Sequence, residues 1–500
     1  MNGIIDAGEI PSNPQKPCIW RVEMYEKKTI QVSFDENPNS FIGAQLSPEN
    51  RWVKLAQIIP WSRLEGHYHQ TFANPKVGNP AKSCRMAIGS LIIKERMKLS
   101  DIEMLELIRE NPYMQFFIGM HSFSDRAPFD ASTMTYFRKR LTPEILAEIN
   151  QMIIEAGKED DHHDDNDGCD AGMSDEDKPK TKNEGTLILD ATCAPADIHF
   201  PTDVALLNDS REKLEEMIDD LQEGCDEKKP RTYRQKARKL YLRFARNRKP
   251  RYKQIRRAIR EQLGFVRRDL ELVREMIARS SRQPTPRQMQ YWQTIQEVYQ
   301  QQLEMYEQKK HKVDDRIVSI HQPWVRPIVR GKATAEVEFG AKISVSLVNG
   351  YALIEQLDWN AFNESGDLQA AVERYRERHG CYPERILADK IYRNRKNHQY
   401  CAGLDIRMNG PNLGRPPKDK KLYDEQKRQE RSEAGERNAV EGKFGEAKRC
   451  YTLSRMMTHL KNTSEVSIHM TFLVMNLEKR LRDIILLFYS CLSAEQLTFA

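Results

Sequence analysis

Two short apolar runs, 186–190 (TLILD) and 385–389 (RILAD), each stop at an aspartate, and about 200 positions separate the two acids. Runs of this length between polar residues read as buried strands. Two strands that end in acids imply one sheet whose strand ends bring side chains together, so the intervening chain must leave that sheet and return to it. From Val204 to about His321 the pattern is helical, with Leu207, Leu214, Met217, Ile218 and Leu221 on one stripe. Pro284 and Pro286 mark the turn of a long helical hairpin. Its arms, roughly 262–280 and 287–318, are charged outside and suited to coiled-coil packing.

From Glu336 the periodicity changes. The stretch EVEFGAKISVSLVNGYALIEQLDW is rich in β-formers, with Asn349-Gly350 at its middle, a strong hairpin signal. A helix is predicted over 367–379, a further strand over 405–408, and a long charged helix over 421–451 that carries Glu441. An amphipathic to apolar helix over 466–487 should cover a core face. Without the helical block, the order is strand, hairpin, helix, strand, strand, helix. This is a mixed α/β sheet with helices packed on it.

Upstream, residues 51–156 read as helices. Ser100 and Glu103 form a capping-box pattern, Asn111-Pro112 ends the helix that follows, and Ser132-Thr133 opens another, which carries Arg138, Lys139 and Arg140. Short helices ending in a basic face suit a helix-turn-helix-like DNA binder. A plain bundle with solvated charges suits this segment equally well. Residues 1–50 lack periodicity, and a short strand over 31–34 has no evident place. Residues 158–184 hold almost no core residues and read as an acidic disordered linker. His162 and His163 lie in it, but ordering a flexible chain around a metal would be costly.

The net charge of +6 hides strong local blocks. Between Asp226 and Asp269 there are 18 Lys/Arg against 4 Asp/Glu, whereas 159–178 has 10 acids and one Lys. Such a basic block points to a polyanionic partner. The nine cysteines are scattered, without zinc-site spacing, and read as small buried hydrophobes in a reducing compartment. There is no basic-then-apolar leader, and the apolar run 484–491 is too short to span a bilayer. A soluble, cytoplasmic protein with no membrane partner is expected.

Asp190, Asp389 and Glu441 are the candidate catalytic and metal-binding residues. Two carboxylates at strand ends and a third from a crossing helix would form a cup for hard divalent cations, Mg²⁺ or Mn²⁺. Two such ions activate an attacking oxygen and stabilise a leaving oxygen, with Asp190 bridging both. No Ser/His/Asp or Cys/His set competes with this reading. Taken singly, an aspartate at a strand end is more commonly a turn or cap residue, and Glu441 is one more helix charge.

The wording around each acid carries more weight. LILDATCAPADIHFPTD, ILADKIYRNRKN and ERNAVEGKFGEAKRCY resemble, in order, the three catalytic blocks of bacterial insertion-sequence DDE transposases, in particular long members of the insertion-sequence-five family. The N-terminal AIGSLIIKERMKLSDIEMLELIRENPYMQFFIG and STMTYFRKRL are similar to that family's helical domain. The resemblance covers most of residues 50–480. It implies an RNase H-like catalytic core that cleaves element ends and transfers strands into target DNA, with two divalent cations. It also implies DNA as partner (terminal inverted repeats and target), a homodimer or higher assembly, and a bacterial setting on the nucleoid.

Related third blocks carry a Tyr, Arg, Glu, Lys signature. Arg437 and Lys448 match the Arg and Lys positions as phosphate-gripping candidates, and Ala434 stands at the Tyr position. Glu446 is a competing third acid with the wrong offset. Further candidate DNA contacts are Arg246, Arg248, Lys249 and Arg251 in the basic block, and less specifically Lys332, Lys342 and Lys390 near the sheet. The domain reading is an extension at 1–50, a helical DNA-binding domain at 51–157, the linker at 158–184, a catalytic core at 185–204 and 322–482, a basic helical insertion at 205–321, and a tail at 483–500. Two other functions remain open: an inactive transposase-derived DNA-binding protein, and a two-metal nuclease without strand transfer.

Overall fold

The structure is a computed structural model, and it describes residues 46–70, 72, 81–161, 182–224, 228–329, 337–410 and 419–498. The expected strand at 31–34, His162, His163 and Lys332 lie outside these residues. The sheet has six strands: β1 (Thr186–Pro195), β2 (Arg326–Val329), β3 (Val337–Val348), β4 (Tyr351–Asp358), β5 (Arg385–Ala388) and β6 (Arg407–Met408). The order is β2-β3-β1-β5-β6, with β4 also on β3. β1 is antiparallel to β3 and parallel to β5, and β6 continues the parallel side.

The β3–β4 hairpin turns at Asn349 and Gly350, with φ of 52° and 80°. A two-residue turn with positive φ at both positions matches the strand twist, which is why Asn-Gly is favoured there. At Gly340, β3 is flanked by Pro195 on one side and Arg326 on the other. A side chain at this position would collide with the Ala194 carbonyl oxygen.

β1 departs from the sequence expectation. It does not stop at Asp190 but runs five residues further, to Pro195, because the twelve-residue β3 supplies partners as far as Gly340. Only the parallel neighbour β5 stops at this level.

The N-terminal helices are α1 (Arg51–Ile58), α2 (Trp61–Gln70), α3 (Cys84–Met97), α4 (Asp101–Glu110), α5 (Pro112–Phe117), α6 (Thr133–Arg140) and α7 (Pro143–Asp161). Ser100 and Glu103 make the reciprocal capping box that starts α4. Asn111 ends that helix and caps the next, with Pro112 in the first position, where a missing N–H costs nothing.

The insertion comprises α8 (Asp203–Gln222), α9 (Arg234–Ala245), α10 (Tyr252–Arg279) and α11 (Pro286–Gln308). Leu207, Leu214 and Ile218 of α8, Val266 and Val273 of α10, and Ile295 and Val298 of α11 form its own core. The long hairpin therefore closes on α8 and is not a two-stranded coiled coil. Its second arm also ends earlier than expected. Lys309 takes a left-handed conformation after Gln308, and 309–325 carries no helix.

The remaining helices are α12 (Asp367–His379), α13 (Arg395–Gly403), α14 (Lys420–Cys450) and α15 (Lys461–Thr498). Leu368 and Val372 of α12 pack against Leu187 and Leu189 of β1. On α15 every residue from Met470 to Leu477 is buried. A helix buried on all sides belongs at the centre of a fold. Trp52, Ile88, Phe117 and Phe137 from the N-terminal helices share one continuous core with Phe472 and Leu473 of α15 and with Ile343 and Val345 of β3. Among the described residues, no helix is long and apolar enough to cross a membrane.

Candidate active site

The parallel register of β1 and β5 sets Leu189 level with Ala388. Asp190, one residue further along β1, and Asp389, the first residue after β5, are therefore neighbours across the parallel pair, close enough for the Asp389 charge to act on Asp190. Asp389 begins a short 3-10 turn over Lys390–Tyr392, yet its side chain makes no capping hydrogen bond. The ordinary use of a strand-end aspartate, as a cap, is thus not realised here.

The Asp190 side chain is 17% exposed. Its carboxyl is pushed up to about 6, chiefly because burial penalises the charge. A hydrogen bond from the Ala191 N–H and the nearby Arg437 charge pull it down, while Glu364 and Asp389 push it up. Glu364 is an acid that the sequence reading missed. It lies in a short turn ahead of α12 and pairs with Lys342 at 2.8 Å. Its only sequence signal is the acid of NESGDL, which reads as ordinary helix-start chemistry.

α14 crosses the same strand ends and is latched there residue by residue. Glu433, almost fully buried, accepts from Arg407 of β6 at 2.7 Å. Glu436 pairs with Arg385 of β5 at 2.7 Å. Arg437 places Nη1 3.8 Å from Asp190 Oδ2 and Nη2 3.5 Å from Glu441 Oε1. Val440, Phe444 and Ala447 bury the helix below these contacts. Residues three, four and seven apart share a helix face, so this stripe is what 3.6-residue periodicity requires. Glu441 sits on the outer flank, with its side chain 57% exposed. Glu446 pairs with Lys443 at 3.0 Å and Arg482 at 3.7 Å. Lys448 is partly buried two turns beyond Glu441, and Ala434 is exposed.

The three acids offer only hard carboxylate oxygens, which suits Mg²⁺ or Mn²⁺. A dication beside Asp190 would also offset the repulsion from Asp389 and Glu364. In this conformation the cup is not closed. Among the described residues, no three His, Cys, Asp or Glu side chains converge to hold a metal ion. The guanidinium of Arg437 stands between Asp190 and Glu441.

The basic candidates separate into two groups. Arg138 is 6% exposed and paired with Asp101, so it ties α6 to α4 and does not present its charge to a ligand. Lys139 is exposed, and Arg140 is half-buried with its guanidinium 4.5 Å from the Phe72 ring centre. Arg246, Arg248, Lys249 and Arg251 are all exposed at the corner between α9 and α10. Lys390 is exposed, whereas Lys342 is engaged by Glu364 and by the Phe362 carbonyl.

Comparison with known proteins bears on both ends of the chain. A family model described as "Transposase domain (DUF772)" matches residues 40–140, over α1 to α6. A model described as "Transposase DDE domain" matches residues 386–478, which include Asp389 and Glu441. The protein "ORF8 in nfe locus" of Rhizobium meliloti is 42% identical over 115 residues, 23% of this chain. The chain spans 55% of that relative's length. No solved structure matches the chain. Transposase domains imply DNA as a partner, and these two matches, flanking the β1 strand that carries Asp190, support an insertion-sequence transposase.

Proposed function

We propose that this chain is a DDE transposase of the insertion-sequence-five type, which cleaves the terminal repeats of its element and joins them to target DNA. The observation that carries this reading is the placement of Asp190 on β1 beside Asp389, just past the parallel β5, beneath the helix that carries Glu441. The sheet, three parallel strands beside an antiparallel hairpin, supports an RNase H-like core. Asp190, Asp389 and Glu441 would hold two divalent cations, Mg²⁺ or Mn²⁺. When bound, such ions activate the attacking oxygen and stabilise the leaving one.

The chain's own residues do the positioning. Glu433 and Glu436 fix α14 over the strand ends. Arg437 neutralises Asp190 until a phosphate draws its guanidinium away, since a planar fork pairs well with phosphate oxygens. Lys448, two turns past Glu441, extends the same cationic line along the helix. The exposed Arg246, Arg248, Lys249 and Arg251 supply sequence-independent grip on the backbone. Lys139, exposed on the N-terminal helices, is the candidate for reading the ends of the element. Two copies or more assemble on paired ends.

The interposed Arg437 favours a second reading, a DNA-binding protein of the same descent without catalysis. Incubation with the terminal-repeat DNA and Mg²⁺ separates the two. Nicked and joined products are expected, with a loss of at least about a hundredfold in Asp190→Asn, Asp389→Asn and Glu441→Gln while DNA binding persists. Cleavage without joining would leave a nuclease. Binding without any cleavage would leave the non-catalytic reading.

A further inference from the structure

Glu441 lies between two sets of anchors on α14. On its N-terminal side, Glu433 and Glu436 hold the helix to β6 and β5. On its C-terminal side, the helix ends at Cys450 and the following turn reaches back to the end of β1. There the Met456 N–H donates to the Pro195 carbonyl at 2.8 Å, and the Asp197 N–H donates to the Met456 carbonyl at 3.1 Å. A further anchor at this end comes from the N-terminal helices. It is the last turn of α3, 351 positions before Arg449 at Lys98.

Successive side chains of that turn grip different elements. Lys98, which ends α3 in a left-handed conformation, donates from Nζ to the Arg449 carbonyl at 2.5 Å. A lysine in this place also meets the negative end of the α14 dipole. Glu95 is buried and accepts from the Thr452 N–H at 3.0 Å and from its hydroxyl at 2.8 Å. Arg96 pairs with Glu478 of α15 at 2.6 Å. Lys94 pairs with Asp101 at 2.5 Å, and Arg138 of α6 shares that carboxylate, with Nη1 3.1 Å from Oδ2. The turn therefore touches the end of the helix that carries Glu441 and, through Asp101, the helix that presents Lys139.

Small movements of α14 matter at Glu441. Along the helix Glu441 is roughly 8 Å from Glu436 and about 12 Å from Arg449. With the C-terminal end released, a pivot of about 7° at Glu436 shifts Glu441 by about 1 Å, and a misplacement of that size can cost about a hundredfold in rate. Val440, Phe444 and Ala447 bury one face of α14, but apolar packing has no direction and resists such a pivot less sharply than hydrogen bonds at the helix ends.

We infer that the last turn of α3 is a joint that sets Glu441 against Asp190, with Lys98 and Glu95 as positioning residues toward α14 and Lys94 tying them to α6. The inference rests on the reading of Asp190, Asp389 and Glu441 as the catalytic acids. The geometry of those acids then depends on how the N-terminal helices are seated. DNA held at α6 steadies the end of α14 through Asp101, Lys94 and Lys98, a contiguous run of contacts.

The test uses the full chain with its terminal-repeat duplex, and the variants Lys98→Met, Lys94→Met and Lys98→Arg. Lys98 is exposed, so Lys98→Met should leave the melting temperature and the duplex affinity unaltered. Cleavage at saturating DNA and Mg²⁺ should nevertheless fall at least about tenfold, and Lys98→Arg, which still donates, should restore it. An unaltered rate in Lys98→Met, or a fall that only tracks lost stability, would overturn the positioning role. A second readout needs no catalysis. DNA should slow hydrogen exchange at the amides of Cys450 to Leu453, where α14 meets α3. Lys94→Met and Lys98→Met should still bind DNA but lose that slowing. No slowing in the parent, or the same slowing in parent and variants, would overturn the link through α3. Exchange that follows this pattern in a protein that never cuts would sink the catalytic reading alone.

Discussion

Arg437 places its guanidinium 3.8 Å from the Asp190 carboxylate, one helical turn before Glu441, which it also reaches. The side chain that matches a phosphate-gripping signature is therefore the one that holds two candidate ligands in the absence of DNA. Arg437→Gln should strengthen Mn²⁺ binding to the DNA-free protein, because a competing cation is gone. The same change should slow cleavage by at least about tenfold, since the variant has no guanidinium to pair with a phosphate. Manganese titration followed by spin resonance, alongside cleavage assays, checks both halves. Unchanged Mn²⁺ affinity would rule out Arg437 as the occupant of the cation space.

Glu95 joins α3 to the turn after α14 and to α15. It is buried on α3 and accepts from the Thr452 N–H at 3.0 Å and the Thr471 hydroxyl at 2.6 Å. Burial pushes its carboxyl up, and those hydrogen bonds pull it back. Glu95→Ala should cost about 3 kcal/mol by leaving buried donors unpaired. Glu95→Gln keeps an acceptor and should cost less. Denaturant unfolding of the two variants gives the comparison.

Asp269 lies fully buried in the insertion, and neither oxygen has a hydrogen-bond partner among the described residues. Burial and the nearby Glu215 push its carboxyl up to about 7, against the pull of Arg211, Arg268 and Arg234. A folded-state pKa above the unfolded value means that its stabilising contribution is complete below about pH 4. That contribution is lost as pH rises toward 7, by at most about 4 kcal/mol. Asp269→Asn should flatten this part of the stability profile and make the insertion more resistant to unfolding at pH 8. A thermal melt series from pH 4 to 8 would show it, and parallel profiles for parent and variant would refute it.

Exposed cations at the α9–α10 corner should dominate the salt dependence of DNA binding. Replacing Arg246, Arg248, Lys249 and Arg251 together by Ala should reduce the slope of log K against log salt by up to about 3–4, near 0.9 for each phosphate that is no longer neutralised. Arg138→Ala behaves differently, because its guanidinium is buried against Asp101. It should lower stability by about 3 kcal/mol and leave the salt slope unchanged.

Local chemistry was readable from the residues, and pairing across the chain was not. The Asn349-Gly350 turn and the Ser100/Glu103 box each depend on neighbours within a few positions, and each stands where the pattern puts it. Asp389 follows β5 directly, as its apolar run implies. Asp190 does not end its strand, because the length of β1 is set by β3, some 150 positions away. Glu364 and Arg138 look like ordinary surface charges in sequence. Only tertiary packing turns one toward Asp190 and buries the other. The N-terminal helices likewise look self-sufficient until α15 is seen at their centre.

That central helix also sets an order of events during synthesis. The helices around Trp52, Ile88 and Phe137 are made first, yet the apolar faces they must cover belong to Phe472 and Leu473. Until those residues leave the ribosome, the early helices have only one another to pack on, and the β3 face beside them lacks its covering helix. A nascent chain is thus kept from assembling its DNA-handling parts piecemeal. A message cut short before α15 yields a product whose N-terminal helices lack the centre of their core, open to aggregation or proteolysis. Only a finished polypeptide brings the N-terminal helices and the three acids into one body.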